Sequence, residues 1–497
     1  MRASFRPFQI RGGVHPNENK QATAGSVIQN LPLSQRLYIP LQQHIGAPAG
    51  PVVRRGMKVL KGQLLANSQG AISAPVHAPT SGLIRAIGKY PAPHPSGLPV
   101  LTITLEPDGD ERWIELPPET DDPLGLDPDE ISTRVGAAGI VGMGGATFPS
   151  AVKLGLRKRY KLHTLVINAA ECEPYLTCDD QLMREQPDKI IEGIQLVMHA
   201  LQVSKSLVAI EANKPEAFAR MQTAAAEIDG IDIVSVPVRY PMGSEKHLVQ
   251  TLTGRETPSR ALTADIGIVV HNVATAYAVH RAVRYHRPLI SRIVTVSGGA
   301  VSRPGNLHTA IGTPVADLFD FCGGLKTEPA RIIGGGPMMG QPLPHTSVPI
   351  VKGSGGILAL TAAEIATRQA MPCIRCGSCV QACPCGLLPL EMASRARIGN
   401  LDGAVDFGLM DCIACGSCSY VCPSHIPLVQ YFNYAKGALT EKLRKQHKQE
   451  ETRRLAEARN ARIEQLQAAK REAMAKRKAE MAAQAADADE ARSGTGA

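Results

Sequence analysis

The feature that most constrains this chain is a crowd of cysteines near its carboxyl end. Of 12 cysteines, nine lie between Cys373 and Cys422, leaving Cys172, Cys178 and Cys322 elsewhere. They fall into two copies of one spacing. The first is Cys373-x2-Cys376-x2-Cys379-x3-Cys383-Pro384, and the second is Cys412-x2-Cys415-x2-Cys418-x3-Cys422-Pro423. The amino terminus (Met1-Arg2-Ala3-Ser4-Phe5-Arg6-Pro7) has no apolar core of the kind a secretory signal needs, so a cytoplasmic chain is expected. Disulfides are disfavoured in a reducing compartment, and clustered thiols there point to metal.

Three thiolates two residues apart wrap one cubane from a tight turn, and the fourth, after a longer step, reaches the neighbouring one. That crossed rule assigns Cys373, Cys376, Cys379 and Cys422 to one [4Fe–4S] cluster, and Cys412, Cys415, Cys418 and Cys383 to a second. Gly377 and Gly416 follow the second cysteine of each run, where backbone must approach sulfide. Zinc is the competing metal, but zinc modules usually pair C-x2-C units rather than repeat this complete run. Cys385 is surplus to eight ligands and reads as a free thiol; Cys172 and Cys178 read as structural. Two adjacent clusters make a short wire, so the expected function includes electron transfer.

At ~150 residues per domain, 497 residues allow about three domains. With 44% hydrophobic and 20% charged residues, the chain reads as globular, neither wholly disordered nor collagen-like. Its longest uncharged stretches are interrupted by Gly and Pro, and none matches the ~20 apolar residues of a membrane span. The net charge of +9 is uneven: from Lys436 onward there are 15 Lys and Arg against 10 Asp and Glu. Basicity therefore belongs largely to the tail, and with only 4% aromatic residues no nucleic-acid partner is expected.

The pattern divides the chain into six parts. Residues 1–36, with Gly12-Gly13, read as an extended lead-in segment. Residues 37–110 carry short β-type runs (Pro51-Val52-Val53, Lys58-Val59-Leu60, Ala71-Ile72, Leu101–Leu105), which suggests a small β-barrel or sandwich. An acidic, Pro-rich linker, Pro107–Pro128, leads into an α/β domain over 125–288. There, strands at Thr164–Ile167, Ser206–Ile210, Ile231–Val234 and Ile266–Val270 alternate with helices such as Pro187–Leu201 and Pro215–Ala226, predicting a largely parallel sheet. Residues 290–360 return to strands and turns, and 365–435 carry the cysteines on short helices. The tail, 436–497, is rich in Ala, Glu, Lys and Arg and predicts a solvated, partly helical segment.

Four segments of the α/β domain could build a binding site. Val141–Lys153 is glycine-rich, and Gly142, Gly144 and Gly145 would bare backbone N–H groups to a phosphate or flat ring, with Phe148 beside them and Lys153 to neutralise charge. Asn168, Glu171 and Glu173 follow a strand at the end where α/β ligands bind. Tyr240, Gly243 and Glu245, and then Asn272 and Thr275, occupy two further strand-to-loop junctions. Taken singly, each segment reads equally well as a tight turn or a polar loop.

Together, they resemble the flavin- and NADH-binding subunit of respiratory complex I, which has G-R-G-G-A-G-F-P-T-G-L-K, N-A-D-E-x-E-P-G, Y-x-x-G-E-E-T and N-N-V-E-T stretches. Here Met143 replaces Arg, Thr147 replaces Gly, Ala170 replaces Asp, and Ser244 and Lys246 replace Glu and Thr; His271 and Ala274 also depart. Val301–Leu307 followed by Gly312-Thr313-Pro314 resembles the β-grasp (SLBB-like) module that follows. The order is more similar still to the C subunits of Rnf-type electron-transport complexes, which begin with Gly-Gly-x-His-Pro (Gly12–Pro16) and a lipoyl-like β module, here Gly56–Leu64 and Ala74–Gly82. Ala66-Asn67-Ser68-Gln69-Gly70 lacks a carrier lysine, so no covalent lipoyl or biotin is expected.

The resemblance implies a multidomain α/β protein: a lipoyl-like β module, a Rossmann-like flavin/NADH-binding domain, a β-grasp module, a helical two-cluster ferredoxin domain and a helical tail. It implies noncovalent FMN held by the four segments above, NADH or NAD as substrate, and two [4Fe–4S] clusters carrying single electrons onward. The partners would be integral-membrane subunits and a ferredoxin-like subunit, on the cytoplasmic side of a bacterial inner membrane, in an assembly that couples electron transfer to ion translocation. Ala170 and Ser244 leave a second reading open, in which the nucleotide domain is a flavin-free scaffold and the protein an iron–sulfur adaptor. A third is a soluble NADH-oxidising subunit of a hydrogenase or formate dehydrogenase.

Overall fold

The structure, a computed structural model, describes residues 7–365 and 368–493. Residues 1–6, 366–367 and 494–497, which fall in the lead-in segment, the cysteine module and the tail, lie outside the described residues.

The β module is built from two small sheets. Leu37–Pro40, Pro99–Pro107, Gly82–Pro91 and Lys58–Val59 form one, and Gly50–Pro51, Leu64–Asn67 and Val76–His77 form the other. Leu37, Ile39, Leu65, Ile84, Ile103 and Leu105 fill the space between them. The expected strand at Ala71-Ile72 is instead a bend: Ala47 N–H and Ser73 Oγ tie this loop back to the carbonyls of Ile72 and Ala47, so its polar groups face a neighbouring turn rather than a ladder.

The α/β domain has a four-stranded, all-parallel sheet in the order Ile231–Val236, Lys205–Glu211, Thr164–Ala169, Ile268–Asn272. Both faces are covered, as a parallel sheet requires. Helices Pro128–Ala137, Pro187–Leu201 and Val273–Tyr285 contribute to the apolar cluster on one side, and helix Glu245–Thr253 to that on the other. Asp127 caps the first of these helices through Asp129 N–H, with Pro128 at its opening position. The acidic linker does not hang free. Lys61 N–H and Ile114 N–H exchange bonds with Arg112 and Lys61 carbonyls, laying Trp113 against the β module.

A six-stranded mixed sheet follows, with Ser291–Ser297 between Gly305–Ala310 and Gly356–Leu360. Its outer strand, Ile28–Asn30, comes from the lead-in segment and pairs in parallel with Gly305–Ala310. That segment is thus part of the fold rather than a bare extension. The cysteines sit on and between short helices Ser378–Ala382, Pro389–Arg397, Leu401–Asp406 and Ser417–Tyr420, and one helix, Leu428–Ser493, carries the chain away. Among the described residues, no helix is long and apolar enough to cross a membrane.

Candidate functional site

The chain steps outward from Thr164–Ala169 to Ile231–Val236, then returns to place Ile268–Asn272 on the other side of the first strand. Strand order therefore reverses between Thr164–Ala169 and Ile268–Asn272, and the crevice at their carboxyl ends is where ligands bind in open α/β sheets. Asn168 and Asn272 are register partners at that point.

The glycine-rich loop folds over this crevice. A bridge between Val141 and Pro149 and a bond from Gly142 N–H to Phe148 O (2.8 Å) close it. Thr275 Oγ1 accepts from Met143 N–H at 3.0 Å, so the first turn of helix Val273–Tyr285 holds the loop. Gly144 lies so close to Asn272 that a methyl group there would stand 3.2 Å from its Cβ. Gly145, at φ +117°, has open space where a side chain would go. Its bare backbone is a surface on which a flat or anionic group fits.

Charge is placed around this loop. Lys153 Nζ donates to Val270 O at 2.9 Å and lies 3.3 Å from Glu245 Oε2, whose other oxygen accepts from Thr263 Oγ1 at 2.8 Å. Asn168 Nδ2 donates to Gly243 O at 2.7 Å, drawing the Tyr240–Glu245 segment in. Asn272 Nδ2 donates to Asp179 Oδ2 at 2.7 Å while its Oδ1 caps helix Val273–Tyr285 at Ala274 N–H. Burial pushes Asp179 up to about 6, reinforced by Glu171 nearby. His271 is buried with Nε2 unpartnered, and burial holds it down at about 3, hence neutral. An orphaned buried nitrogen near Lys153 fits a bound group with polar edges.

Three of the expected ligands are engaged elsewhere. Glu171 accepts from the N–H groups of Asp179 (2.7 Å) and Asp180 (3.2 Å), capping helix Cys178–Glu185. Glu173 accepts from Met338 N–H (3.0 Å) and Met339 N–H (2.9 Å) in the six-stranded sheet module, and burial pushes it up to about 7. Tyr240 donates its hydroxyl to Cys415 O at 2.7 Å, toward the cysteines. These side chains frame the crevice. Cys172 accepts from Gly243 N–H at 3.2 Å, as a structural thiol would, whereas Cys178 comes within 4.8 Å of the Glu171 and Asp179 carboxylates.

The cysteines surround two separate cavities. One is lined by Cys373, Cys376, Cys379 and Cys422, the other by Cys383, Cys412, Cys415 and Cys418, with Cys385 beside them. The grouping is the crossed one. The two halves repeat each other's backbone: Arg375 and Ala414 have φ +53° and +54°, and Gly377 and Gly416 +79° and +85°. Matching N–H groups aim at sulfur, from Arg375 to Cys373 and from Ala414 to Cys412, each at 3.4 Å, and from Leu387 to Cys383. Four thiols facing one space, with amide donors behind the sulfur, fit a cubane cluster. Cys373 and Cys376 are exposed, whereas Cys415 and Cys418 are buried.

The lead-in segment connects the two centres. Val14 and Tyr240 exchange both backbone bonds, and Gly13 N–H donates to Ala382 O at 2.9 Å. Lys20 is buried and donates to the carbonyls of Glu171 and Glu173, both at 2.9 Å, and to Leu176 O. Sequence reasoning missed Lys20 because a single lysine carries no motif. The Gly12-Gly13 pair was the available signal for a close approach.

An open α/β nucleotide crevice joined through Tyr240 and Glu173 to a cysteine-lined pair of cavities defines a flavin and iron–sulfur electron-transfer protein. Four family models match in the same order: a RnfC barrel sandwich hybrid domain over residues 8–110, a Nuo51 FMN-binding domain over 135–281, an SLBB domain over 293–342 and a 4Fe-4S dicluster domain over 372–426. The chain is 56% identical to the C subunit of the ion-translocating oxidoreductase complex of Rhodobacter capsulatus over 446 residues, covering 89% of this chain and 85% of that one. It is 48% identical to the Pseudomonas aeruginosa protein of the same name over 457 residues, spanning 58% of that longer chain. A third relative, from Clostridium ljungdahlii, is named as the C subunit of a proton-translocating ferredoxin:NAD(+) oxidoreductase complex. Identity to it is 46% over 431 residues, covering 86% of this chain and 93% of that one.

The chain belongs to the family of C subunits of ion-translocating oxidoreductase (Rnf) complexes, related to the flavin-binding subunit of complex I. Its cofactors are FMN and [4Fe–4S] clusters, and its role is electron transfer within a membrane complex. The match to an FMN-binding domain decides against the flavin-free scaffold.

Proposed function

We propose that this protein is the NADH/NAD-linked port of its complex, at the cytoplasmic face of the membrane, and passes electrons in single steps through two [4Fe–4S] clusters. The observation that carries the reading is the asymmetry of the two cysteine sets. The Cys412 set is tied to the crevice by Tyr240, and a methyl group on Gly416 would stand 2.9 Å from the carbonyl of Met338, whose N–H binds Glu173. The Cys373 set faces outward with two exposed cysteines. The inner set is thus the one adjacent to the flavin crevice, and the outer set is the one a partner can reach.

FMN supplies the conversion between two-electron hydride exchange and one-electron transfer. The chain's own residues bind and orient. Gly144 and Gly145 offer backbone, Lys153 offers positive charge near the loop, Asn168 and Asn272 set the crevice walls, and Thr275 keeps the loop from shifting. Lys153 and Glu245 stand at the rim, where a nicotinamide nucleotide would enter. The Clostridium relative's name, with ferredoxin and NAD as the redox pair, supports this assignment. Membrane subunits and a ferredoxin-like subunit are the proposed partners, since no helix among the described residues is long and apolar enough to span a bilayer.

An anaerobic NADH titration of the cofactor-loaded chain tests the reading. Bleaching of the flavin band followed by the cluster absorbance is expected, and Cys415→Ala should stop the second phase while Cys376→Ala leaves the inner cluster reducible. Intact flavin and clusters that ignore NADH would overturn the NADH assignment.

A further inference from the structure

One sizeable cavity belongs to neither the flavin crevice nor a cysteine site. It is a cleft of about 530 Å³ between the α/β domain and the six-stranded sheet. One wall is the outer face of helix Val273–Tyr285, presenting Ala274, Tyr277, Ala278 and Arg281 at helical spacing. The facing wall is the six-stranded sheet: Ile28 and Asn30 of its outer strand, with Ser291, Arg292, Ile293 and His308 from the two strands next to it. The cleft meets the glycine-rich loop only at Met143.

Its charge is lopsided. Lys189, Arg281, Arg287 and Arg292 line it against two carboxylates, Asp179 and Glu185. Both carboxylates are already bonded, Asp179 by Asn272 and Glu185 by Ile28 N–H (2.7 Å) and Gln181 Nε2 (2.8 Å). Among the described residues, none of the four cations is in an ion pair. Arg292 is 5% exposed; its Nε donates to Ser354 O at 3.1 Å, and Nη1 lies against the Met143 thioether. Arg281 and Arg287 sit over tyrosine rings, at 5.9 Å from Tyr277 and 5.7 Å from Tyr285. His308, bonded to Asn30 Oδ1 and Ser291 Oγ, is held near 4 by burial and adds polarity without charge.

The buried Arg292 guanidinium feels the nearby Asp179 carboxylate but makes no ion pair with it among the described residues, and a buried charge so loosely compensated is costly. Arginine forks match phosphate oxygens in pairs. Clefts of ~300–1,000 Å³ at domain boundaries, with convergent polar groups and aromatic walls, are where small ligands bind. We propose that this cleft is a second ligand site, distinct from the flavin crevice, which takes a nucleoside phosphate with its phosphates on Arg281, Arg287 and Arg292 and its base against the tyrosines. Because Met143 closes one end and Thr275 holds its N–H, an occupant would sit one residue behind the flavin-binding loop.

Equilibrium dialysis of labelled ADP against the cofactor-loaded protein, with pyrophosphate and inorganic phosphate as competitors, tests this. Saturable ADP binding is expected, displaced by pyrophosphate more readily than by phosphate. Arg281→Gln and the more exposed Arg287→Gln should each weaken it at least tenfold with flavin content and cluster absorbance unchanged. Lys153→Gln, at the flavin crevice, should leave ADP binding intact. Absence of saturable binding, binding indifferent to both arginine changes, or binding lost in Lys153→Gln alone would each overturn the proposal. The last outcome would assign ADP to the nicotinamide-nucleotide site and leave the NADH reading standing.

Discussion

Gly12 sits at φ +64°, and a methyl group there would lie 2.4 Å from the carbonyl oxygen of Cys383. Cys383 lines the inner cavity, so the glycine holds the position of a proposed cluster ligand through backbone shape alone. Gly12→Ala is expected to lose the inner cluster, read as a halving of bound iron, while flavin content persists. Buried histidines give a pH signature. His77 and His271 are both held at about 3 by burial, against an ordinary 6.5. Between those values the unfolded chain binds the extra protons, so stability falls as pH drops through this window, by about 1.4 kcal/mol per pH unit for each histidine. Glu173 and Asp179, held up at about 7 and 6, pull the other way over this range, so the histidine share is read by difference: between pH 7 and pH 5, urea unfolding of His77→Gln should lose less stability than that of the unaltered chain. At this scale, spacing made the grouping of the cysteines into two sets legible. The partners of Glu171, Glu173 and Tyr240 were not, because each binds backbone that no local pattern connects to it.

Elements meet at Asn306. Its Oδ1 accepts from the hydroxyls of Thr177 and Thr295 at 3.0 and 2.8 Å, and its Nδ2 donates to Thr23 O at 3.3 Å. One amide thereby joins the α/β domain, the six-stranded sheet and the lead-in segment, and all four residues are buried. Asn306→Ala would remove three bonds while Thr177 Oγ1 keeps Thr23 Oγ1, Thr295 Oγ1 keeps Thr177 N–H and Thr23 O keeps Ser26 N–H, and should cost about 1–3 kcal/mol in urea unfolding. Residues 7–30 are thus joined to the rest by side chains as well as by backbone pairing. In the sequence those residues showed only Gly-Gly and polar runs, with too little apolar periodicity to reveal strand Ile28–Asn30. The four parallel strands, each a Val- and Ile-rich run between helices, were legible to within two residues at their ends.

Taken whole, the protein is a row of modules with a single anchored rod. Helix Leu428–Ser493 would be ~99 Å long at 1.5 Å per residue. Leu428, Phe432 and Ala435 are buried in the cysteine module, and Lys436 Nζ donates to Cys412 O, so the first turns brace the inner cysteine set. From Leu443 onward the described side chains are exposed. Removing residues 449–497 is therefore expected to change the melting temperature by under about 2 °C and leave iron and flavin content intact. A larger loss would mean that the distal helix supports the fold.

The parts of this protein that depend on neighbours in the chain were readable from the letters: cysteines two residues apart, glycines baring a loop, apolar runs between helices. Short covalent spacing limits what such segments can hold, so chemistry and module order follow. The three-dimensional fold decided which cysteine set lies inward, that a lysine at position 20 braces an acidic loop some 150 residues away, and that four cations converge on one cleft. Those outcomes depend on long-range packing, where burial and unmet hydrogen bonds select one partner from many, and no local pattern encodes that choice.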